Sequence, residues 1–172
     1  MSFPPPGSTE HPKPGAAGEP SSSSRKGAAR RSSNPRRRAR EFVLQGLYQW
    51  QVGGQDVAAI EAQAAGVPGF DKADQALYRA LLNRSLDHAA TLQELLARHI
   101  DRPWTEISPI ERGILLLAAC EFSQFPETPY RVILNEAIEL AKDFGGTDGH
   151  KFVNGVLDKL AAVLRPAETG KR

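Results

Sequence analysis

The sequence contains one cysteine and no long apolar run. The single cysteine, Cys120, excludes an intramolecular disulfide. It ends an apolar run over residues 114–120, which is much too short to cross a membrane. No apolar segment follows the N-terminus, so no secretory signal is predicted and the cytoplasm is the expected compartment. The chain is therefore expected to fold without disulfides and without a membrane anchor.

Signals for catalysis and for metal binding are also missing. The chain contains no GxxxxGK[ST] phosphate-binding loop, no GxSxG nucleophile motif and no GxGxxG after a predicted strand. No metal-ligand spacing is found among its four histidines, His11, His88, His99 and His150. We therefore expect a binding protein without a metal or cofactor rather than an enzyme.

Charge is divided unevenly along the chain. The formal net charge is +2. Residues 1–40 carry 9 Lys or Arg and 2 Asp or Glu, which gives a net charge of +7. The other 132 residues carry 13 Lys or Arg and 18 Asp or Glu, which gives a net charge of −5. A basic arm on an acidic body indicates a polyanionic partner at one end and a basic partner elsewhere.

The N-terminal segment has low complexity, with six Pro, eight Ser and four Gly in residues 1–34. Phe3 is its only large apolar residue besides Met1, so the segment cannot offset its ordering entropy by burial. We predict a disordered tail over 1–34, a folded domain over 35–166 and a short C-terminal tail over 167–172. A solubilising role for the N-terminal tail is favoured over binding of a specific ligand.

Apolar residues in the folded domain recur with the period of α-helices. Helix starts are predicted at Asn34-Pro35, at Ser108-Pro109 and at Thr128-Pro129, where a capping residue precedes a proline. The first helix is predicted to end at Gly53-Gly54. A second helix is predicted over 56–66. A long helix is predicted from residue 71 to about residue 100, and the pattern allows a break near its end. No convincing run has the period of a strand. The predicted fold is all-α, a compact bundle of about six or seven helices.

Two short motifs predict how helices begin and end. In the capping box Ser108–Glu111, the serine hydroxyl is predicted to cap the third helical amide while Glu111 reaches back to the N-cap amide. Gly145 and Gly146 are expected to supply a residue with positive φ at the end of one helix. Asp148 then suits the N-cap of the last long helix.

Arginines crowd the first turn of the first predicted helix. Each exposed cation there costs about 0.3–1 kcal/mol against the helix dipole, which favours an anionic partner over a merely solvated charge run. One face, predicted to lie off the core, carries Arg36, Arg37, Arg40, Leu44, Tyr48 and Gln51. A tyrosine in line with arginines favours single-stranded RNA, whose bases stack on aromatic rings. A half-buried amphipathic Tyr48 is an equally weighted alternative.

The first turn of the last long helix contains Lys151 and Phe152, where backbone N–H groups favour an anion. A cation and an aromatic ring at this place are compatible with a nucleic-acid contact. Periodicity alone favours packing of Phe152 against the core, surface exposure of Lys151 and a capping role for Asp148.

Three segments resemble the NusB family of bacterial transcription antitermination factors. They are RRRAREFVLQGLYQWQ, IERGILLLAACEF and PYRVILNEAIELAKDFGGTDGHKFVNGVLDKLAAVLRP, in the same order as in the family. The resemblance covers about residues 36–166 and implies two three-helix subunits packed across each other. It also implies binding of boxA RNA together with the ribosomal protein NusE, in an antitermination complex on RNA polymerase that serves ribosomal RNA operons.

Site residues follow from the same resemblance. The residues that it associates with RNA are Arg36, Arg37, Arg38, Arg40, Tyr48, Asp148, Lys151 and Phe152. Those that it associates with NusE are Tyr48 and Glu111. Residues 53–107 match only in their helical pattern, so no site is transferred there. A single RNA site formed from both ends of the domain requires the first and last helices to lie close together. The alternative function is a helical protein-interaction module with only non-specific RNA affinity, and the chain is expected to be a monomer or a homodimer.

Overall fold

A computed structural model describes Phe3 and residues 34–170 of the chain. The predicted disordered tail therefore lies outside the described residues except for Phe3 and Asn34. The described part contains eight α-helices and no strand, which confirms the all-α prediction. The helices are α1 (Pro35–Gly53), α2 (Val57–Ala65), α3 (Gln75–Asp87), α4 (Ala89–Ala97), α5 (Pro109–Gln124), α6 (Tyr130–Phe144), α7 (Gly149–Leu164) and α8 (Pro166–Thr169). In the part of the chain that the structure describes, none of these helices has the length and hydrophobicity needed to cross a membrane.

Helix boundaries in the first half follow local capping chemistry. The Oδ1 atom of Asn34 accepts hydrogen bonds from the backbone amides of Arg36 and Arg37, at 3.0 and 3.2 Å. Gly54 ends α1 with a φ of 64°, as predicted for the Gly-Gly pair. The long helix predicted from residue 71 is divided, because α3 ends and α4 begins on either side of His88. The break thus falls in the middle of that segment rather than near its end.

The turn between α6 and α7 differs from the prediction. Gly145 has a φ of −86° and a ψ of 178°, an extended conformation, so the expected positive φ at Gly145 or Gly146 is wrong. Glycine is needed at position 145 because an added Cβ atom would lie 2.6 Å from the carbonyl oxygen of Ala141. Asp148 occupies the N-cap position of α7, but its side chain makes no capping hydrogen bond.

Helix α5 lies at the centre of the fold. Its residues 113–122 are buried without interruption, so this helix is covered on all sides. Helices α1, α3 and α4 pack against it from the N-terminal half, and α6 and α7 pack against it from the C-terminal half. The three-helix groups α1–α3 and α5–α7 therefore meet through α5.

A buried ion pair joins α1 to α5. Arg40 and Glu121 are 3% and 1% exposed, and the guanidinium donates two hydrogen bonds to the carboxylate at 2.7 and 2.9 Å. Burial alone would lower the pKa of Arg40, but the hydrogen bond and charge of Glu121 outweigh it and raise that pKa. The prediction that Arg40 and Leu44 face away from the core is wrong, since both are buried. Helix α1 packs against α5 as well as α3, so its contact surface extends further around the helix than one apolar stripe.

The C-terminal end of α5 is closed by Arg165. Its guanidinium donates hydrogen bonds to the carbonyl oxygens of Glu121, Phe122, Phe125 and Thr128. The four acceptors lie in the last turn of α5 and in the segment that follows it, so the guanidinium places a cation at the negative end of the helix dipole. Arg165 also pairs with Glu168, whose carboxylate accepts a hydrogen bond from the backbone amide of Tyr130 at 2.9 Å. Glu168 of the α8 turn therefore links Arg165 to the start of α6.

Replacing Arg40 should destabilise the fold. Arg40→Ala leaves the carboxylate of Glu121 buried without its partner, so the free energy of unfolding should fall by about 3–5 kcal/mol. Urea unfolding followed by circular dichroism measures this loss. The double replacement Arg40→Met, Glu121→Leu should recover most of it, and exposed Arg36→Ala should change stability by about 0.5 kcal/mol at most. A loss below about 1 kcal/mol in Arg40→Ala would contradict a structural role for the pair.

Candidate nucleic-acid interface

The four arginines at the start of α1 have different surroundings. Successive residues of an α-helix point about 100° apart, so neighbouring side chains contact different elements. Arg36 is exposed, Arg37 reaches α6, Arg38 is half-buried near the turn that precedes residue 70, and Arg40 is buried against α5. Arg36 is therefore the member of this group whose side chain is most available to a phosphate. In this conformation the guanidinium of Arg40 is occupied by Glu121.

Arg37 and Arg38 have different neighbours around α1. The Nε and Nη2 atoms of Arg37 each donate a 2.9 Å hydrogen bond to the carboxylate of Glu136 in α6, which raises the pKa of Arg37. The Nη1 atom of Arg38 lies 2.6 Å from the position that a Cβ atom at Gly69 would take. Gly69 has a φ of 93°, a backbone conformation that favours glycine, and a side chain there would also displace the Arg38 guanidinium.

An aromatic group connects the second half of α1 to the end of α6. The Phe3 ring lies edge-on to Tyr48 and to Phe144, with 5.2 Å between ring centroids in both pairs. The Tyr48 and Phe144 rings are therefore at most twice that distance apart. Phe144 is half-buried and lies at the edge of this group.

Helices α1 and α6 are linked at two points along their length and run in the same direction. Arg37 lies beside Glu136 near one end, and Tyr48 lies near Phe144 at the other end through the shared Phe3 ring. Acidic side chains lie between these two contacts. Burial raises the pKa of the Glu41 carboxyl, and the negative charge of Asp143 raises it further. We call the space between the two helices the α1–α6 groove, defined by Arg37, Glu41, Glu136 and Asp143.

The start of α7 presents a charged pair and an aromatic ring. The Nζ atom of Lys151 lies 3.3 Å from Oδ1 of Asp148, and their side chains are 73% and 76% exposed. The Phe152 ring is half-buried against the core, and the guanidinium of Arg102 lies 4.2 Å from its centroid. Phe152 therefore combines core packing with a partly accessible ring, so neither sequence interpretation describes it completely.

Arg102 is missed by sequence reasoning. It lies before the Trp104–Glu106 turn, in the region for which the family resemblance transfers no site. Its contact with Phe152 joins residues fifty positions apart, and no local pattern signals such a pair. A guanidinium over an aromatic ring keeps its outer face and its donors available to a base or a phosphate.

Glu111 connects the start of α5 to the start of α7. Its amide donates to the Ser108 hydroxyl at 3.2 Å, which confirms the predicted N-cap. Its carboxylate accepts a 3.0 Å hydrogen bond from the same hydroxyl rather than from the N-cap amide, which corrects the second half of the capping box. A Cβ atom at Gly149 would lie 2.6 Å from Oε1 of Glu111, so glycine allows α7 to begin against this carboxylate.

The first and last long helices both contact the N-terminal end of α5. On the α1 side, the side chain of Gln51 donates a 3.1 Å hydrogen bond to the carbonyl of Pro109. On the α7 side, Gly149 lies against Glu111. We call this region the α5 N-terminal surface, formed by Tyr48, Glu111, Phe144, Asp148, Lys151 and Phe152. Arg36 lies about 18 Å from Tyr48 along α1, so the arginine end is a separate part of the interface.

The chemistry of the described residues suits binding. No group of three or more His, Cys, Asp or Glu in residues 34–170 is arranged to hold a metal ion. Cys120 is fully buried, and burial raises the pKa of its thiol to about 11, so the thiol stays protonated at neutral pH. The accessible features are instead exposed cations, partly exposed rings and carboxylates.

The raised pKa of Glu41 predicts a pH-dependent stability. The pKa of the Glu41 carboxyl is raised in the folded state. Its contribution to stability is therefore fully present when the pH is below the ordinary pKa of about 4.3, and it is lost as the pH rises through the folded-state pKa. Glu41→Gln, which stays neutral, should therefore gain stability relative to the native chain between pH 4 and pH 7. Urea unfolding at both pH values measures the difference, with exposed Glu127→Gln as the matched control. A relative gain that is larger at pH 4 than at pH 7 would contradict the assignment.

Comparison with known proteins agrees with this architecture. The sequence matches the NusB family over residues 37–162. The Transcription antitermination protein NusB of Dechloromonas aromatica (strain RCB) is 59% identical over 137 residues, which cover 80% of this chain and 84% of the relative. The protein of the same name from Burkholderia cenocepacia (strain HI2424) is 56% identical over 137 residues, covering 80% of this chain and 94% of the relative.

Similarity extends to three-dimensional structure. The solved structure of T. maritima NusB aligns with a TM-score of 0.68 at 26% sequence identity. The alignment covers 81% of this chain and 99% of that chain. Sequence and fold lead to the same assignment, and this chain belongs to the NusB family.

Proposed function

We propose that the chain is a transcription antitermination factor that binds boxA RNA together with the ribosomal protein NusE in the cytoplasm, within an antitermination complex on RNA polymerase. Family membership and the names of its relatives support the general role. The observation that supports the binding proposal is that α1 and α7 both contact the N-terminal end of α5, through Gln51 and Gly149. Tyr48, Lys151 and Phe152 lie within three residues of these two contacts along the chain. Aromatic rings combined with cations are the usual means by which proteins bind single-stranded RNA.

The RNA backbone is assigned to the exposed cations of the interface. Arg36 and Lys151 are exposed and lie at its two ends, and Arg37 keeps donors beyond the two that bind Glu136. Arg102 adds a cation stacked on Phe152. Arg40 acts in this proposal through the fold, because its guanidinium holds Glu121 and α1 in place.

The RNA bases are assigned to the rings of the α5 N-terminal surface. Tyr48 and Phe152 are each half-buried, which fixes the ring and leaves part of it accessible. Stacking of a base on such a ring contributes about 1–3 kcal/mol. Carboxylates of the α1–α6 groove repel phosphates, so they favour a path on which bases rather than phosphates face this groove.

The protein partner is assigned to the region of Glu111. Its carboxylate is partly exposed beside α7, and the acidic body as a whole complements a basic ribosomal protein. A pocket of about 350 Å³ lies nearby between α1, α4 and α5, and its lining includes Trp50, Trp104 and Arg112. Tryptophan and arginine are enriched in protein interfaces, which supports a partner on this side of α5.

The alternative is a helical protein-interaction module, monomeric or dimeric, with only non-specific RNA affinity. The Asp148–Lys151 ion pair and the acidic groove favour it, because both reduce the positive potential near the proposed site. Titration of boxA RNA and a scrambled RNA of equal length, with and without NusE, separates the two functions. Preference for boxA that increases with NusE supports the proposal, and equal affinity for both RNAs supports the alternative.

Removing exposed cations should reduce the salt dependence of RNA binding. In the double variant Arg36→Ala, Lys151→Ala, the slope of log affinity against log salt concentration should decrease by about 1.4, since each lost single-strand phosphate contact contributes about 0.7. The matched control is Arg79→Ala, Lys159→Ala, which removes two exposed cations from α3 and from the distal part of α7. A slope that decreases equally in both variants would contradict the assigned backbone path.

Removing the charge of Glu111 should weaken NusE binding. Glu111→Gln keeps an oxygen that can accept from the Ser108 hydroxyl, so the helix cap and the stability should be retained. Loss of one charge-assisted hydrogen bond should reduce affinity by roughly tenfold, equivalent to about 1.4 kcal/mol. Calorimetric titration with NusE measures the change, with exposed Glu127→Gln near the other end of α5 as control. Unchanged affinity in Glu111→Gln would remove this carboxylate from the interface.

A further inference from the structure

Phe3 lies in contact with the folded domain. It is the only large apolar residue besides Met1 in the first 34 positions. Its ring makes edge-to-face contacts with Tyr48 and Phe144, at interplanar angles of 67° and 78°, and packs at the edge of the core. These angles are the favourable arrangement for aromatic pairs, in which the positive ring edge meets the negative ring face.

The space that Phe3 fills is formed by two separate helices. Tyr48 belongs to α1, and Phe144 is the last residue of α6. The Arg37–Glu136 ion pair and the packing of both helices on α5 fix the position of α1 relative to α6. We call this space the Tyr48–Phe144 cleft. Its walls come from the domain, and its occupant comes from the N-terminal segment.

The chemistry of the cleft suits a planar, uncharged group. Both walls are aromatic, and the nearby carboxylates Glu41 and Asp143 disfavour a phosphate. A nucleobase is planar and aromatic and stacks on such rings in single-stranded RNA complexes. A phenylalanine ring and a nucleobase thus compete for the same kind of contact.

We propose that the Tyr48–Phe144 cleft is a base-binding subsite that Phe3 occupies in the RNA-free protein, so that Phe3 is an intramolecular competitor of RNA. This inference rests on the proposed RNA-binding function. Two edge-to-face contacts of one ring are weak enough to be exchanged for a base. Occupation by Phe3 reduces the fraction of molecules competent to bind and therefore reduces apparent affinity by that fraction.

Replacing Phe3 in the full-length chain tests the competition. Phe3→Ala should bind boxA RNA about three- to tenfold more tightly than the native chain, as expected if Phe3 fills the cleft most of the time. The salt dependence should stay the same, because no charge is altered. Phe3→Trp keeps an aromatic ring and is the matched control, which should retain the native affinity or a lower one.

A second measurement tests the docking without RNA. Ring currents from Phe3 shift the proton resonances of Tyr48 and Phe144, so these resonances should move in RNA-free Phe3→Ala. Their failure to move would overturn the docking. If they move while boxA affinity stays equal or decreases, or if only NusE affinity increases, the competition for a base is overturned. Equal binding of boxA and scrambled RNA by all variants would instead contradict the proposed function, while the resonances still report on docking.

Discussion

The buried ion pair between Arg40 and Glu121 is the interaction on which the arrangement of this domain depends. Helix α5 is enclosed over ten consecutive residues, and one of them is a glutamate that needs a cation inside the core. Arg40 meets this need and thereby sets the rotation of α1 against α5. Arg37 and Tyr48, eleven residues or about three helical turns apart, then lie on the same face of α1, where Arg37 contacts α6 directly and Tyr48 is linked to it through Phe3. The candidate interface follows from this rotation.

Close approaches of helix ends complete the interface. Glycine at position 149 lets α7 start against the Glu111 carboxylate, and glycine at position 145 lets the chain leave α6 close to the carbonyl of Ala141. Neither residue has a positive φ. These glycines are therefore explained by the absence of a side chain rather than by backbone conformation. The result brings a carboxylate, a cation and aromatic rings from distant segments to the N-terminus of α5.

The arginine-rich first turn has a mixed explanation. Cations at a helix N-terminus suggest an external anion that offsets their repulsion by the helix dipole. Part of the negative charge that offsets this repulsion, however, comes from carboxylates within the domain. Glu136 pairs with Arg37, and Glu121 pairs with Arg40. Arg36 has no such ion pair among the described residues. The expectation of a phosphate at this end of α1 therefore rests mainly on Arg36. The same acidic residues that stabilise the fold also restrict where an RNA backbone can run.

Local patterns in the sequence determined the helical class, the caps at Asn34 and Ser108, and the end of α1 at Gly54, because capping and helical periodicity depend on residues a few positions apart. The family motifs led to the same fold. Only the tertiary structure decided that Arg40 is buried, that Arg102 covers Phe152 and that Phe3 contacts Tyr48. Each of these contacts joins residues at least forty positions apart. Their partners depend on how the helices pack around α5, and a period within a single helix carries no information about that packing.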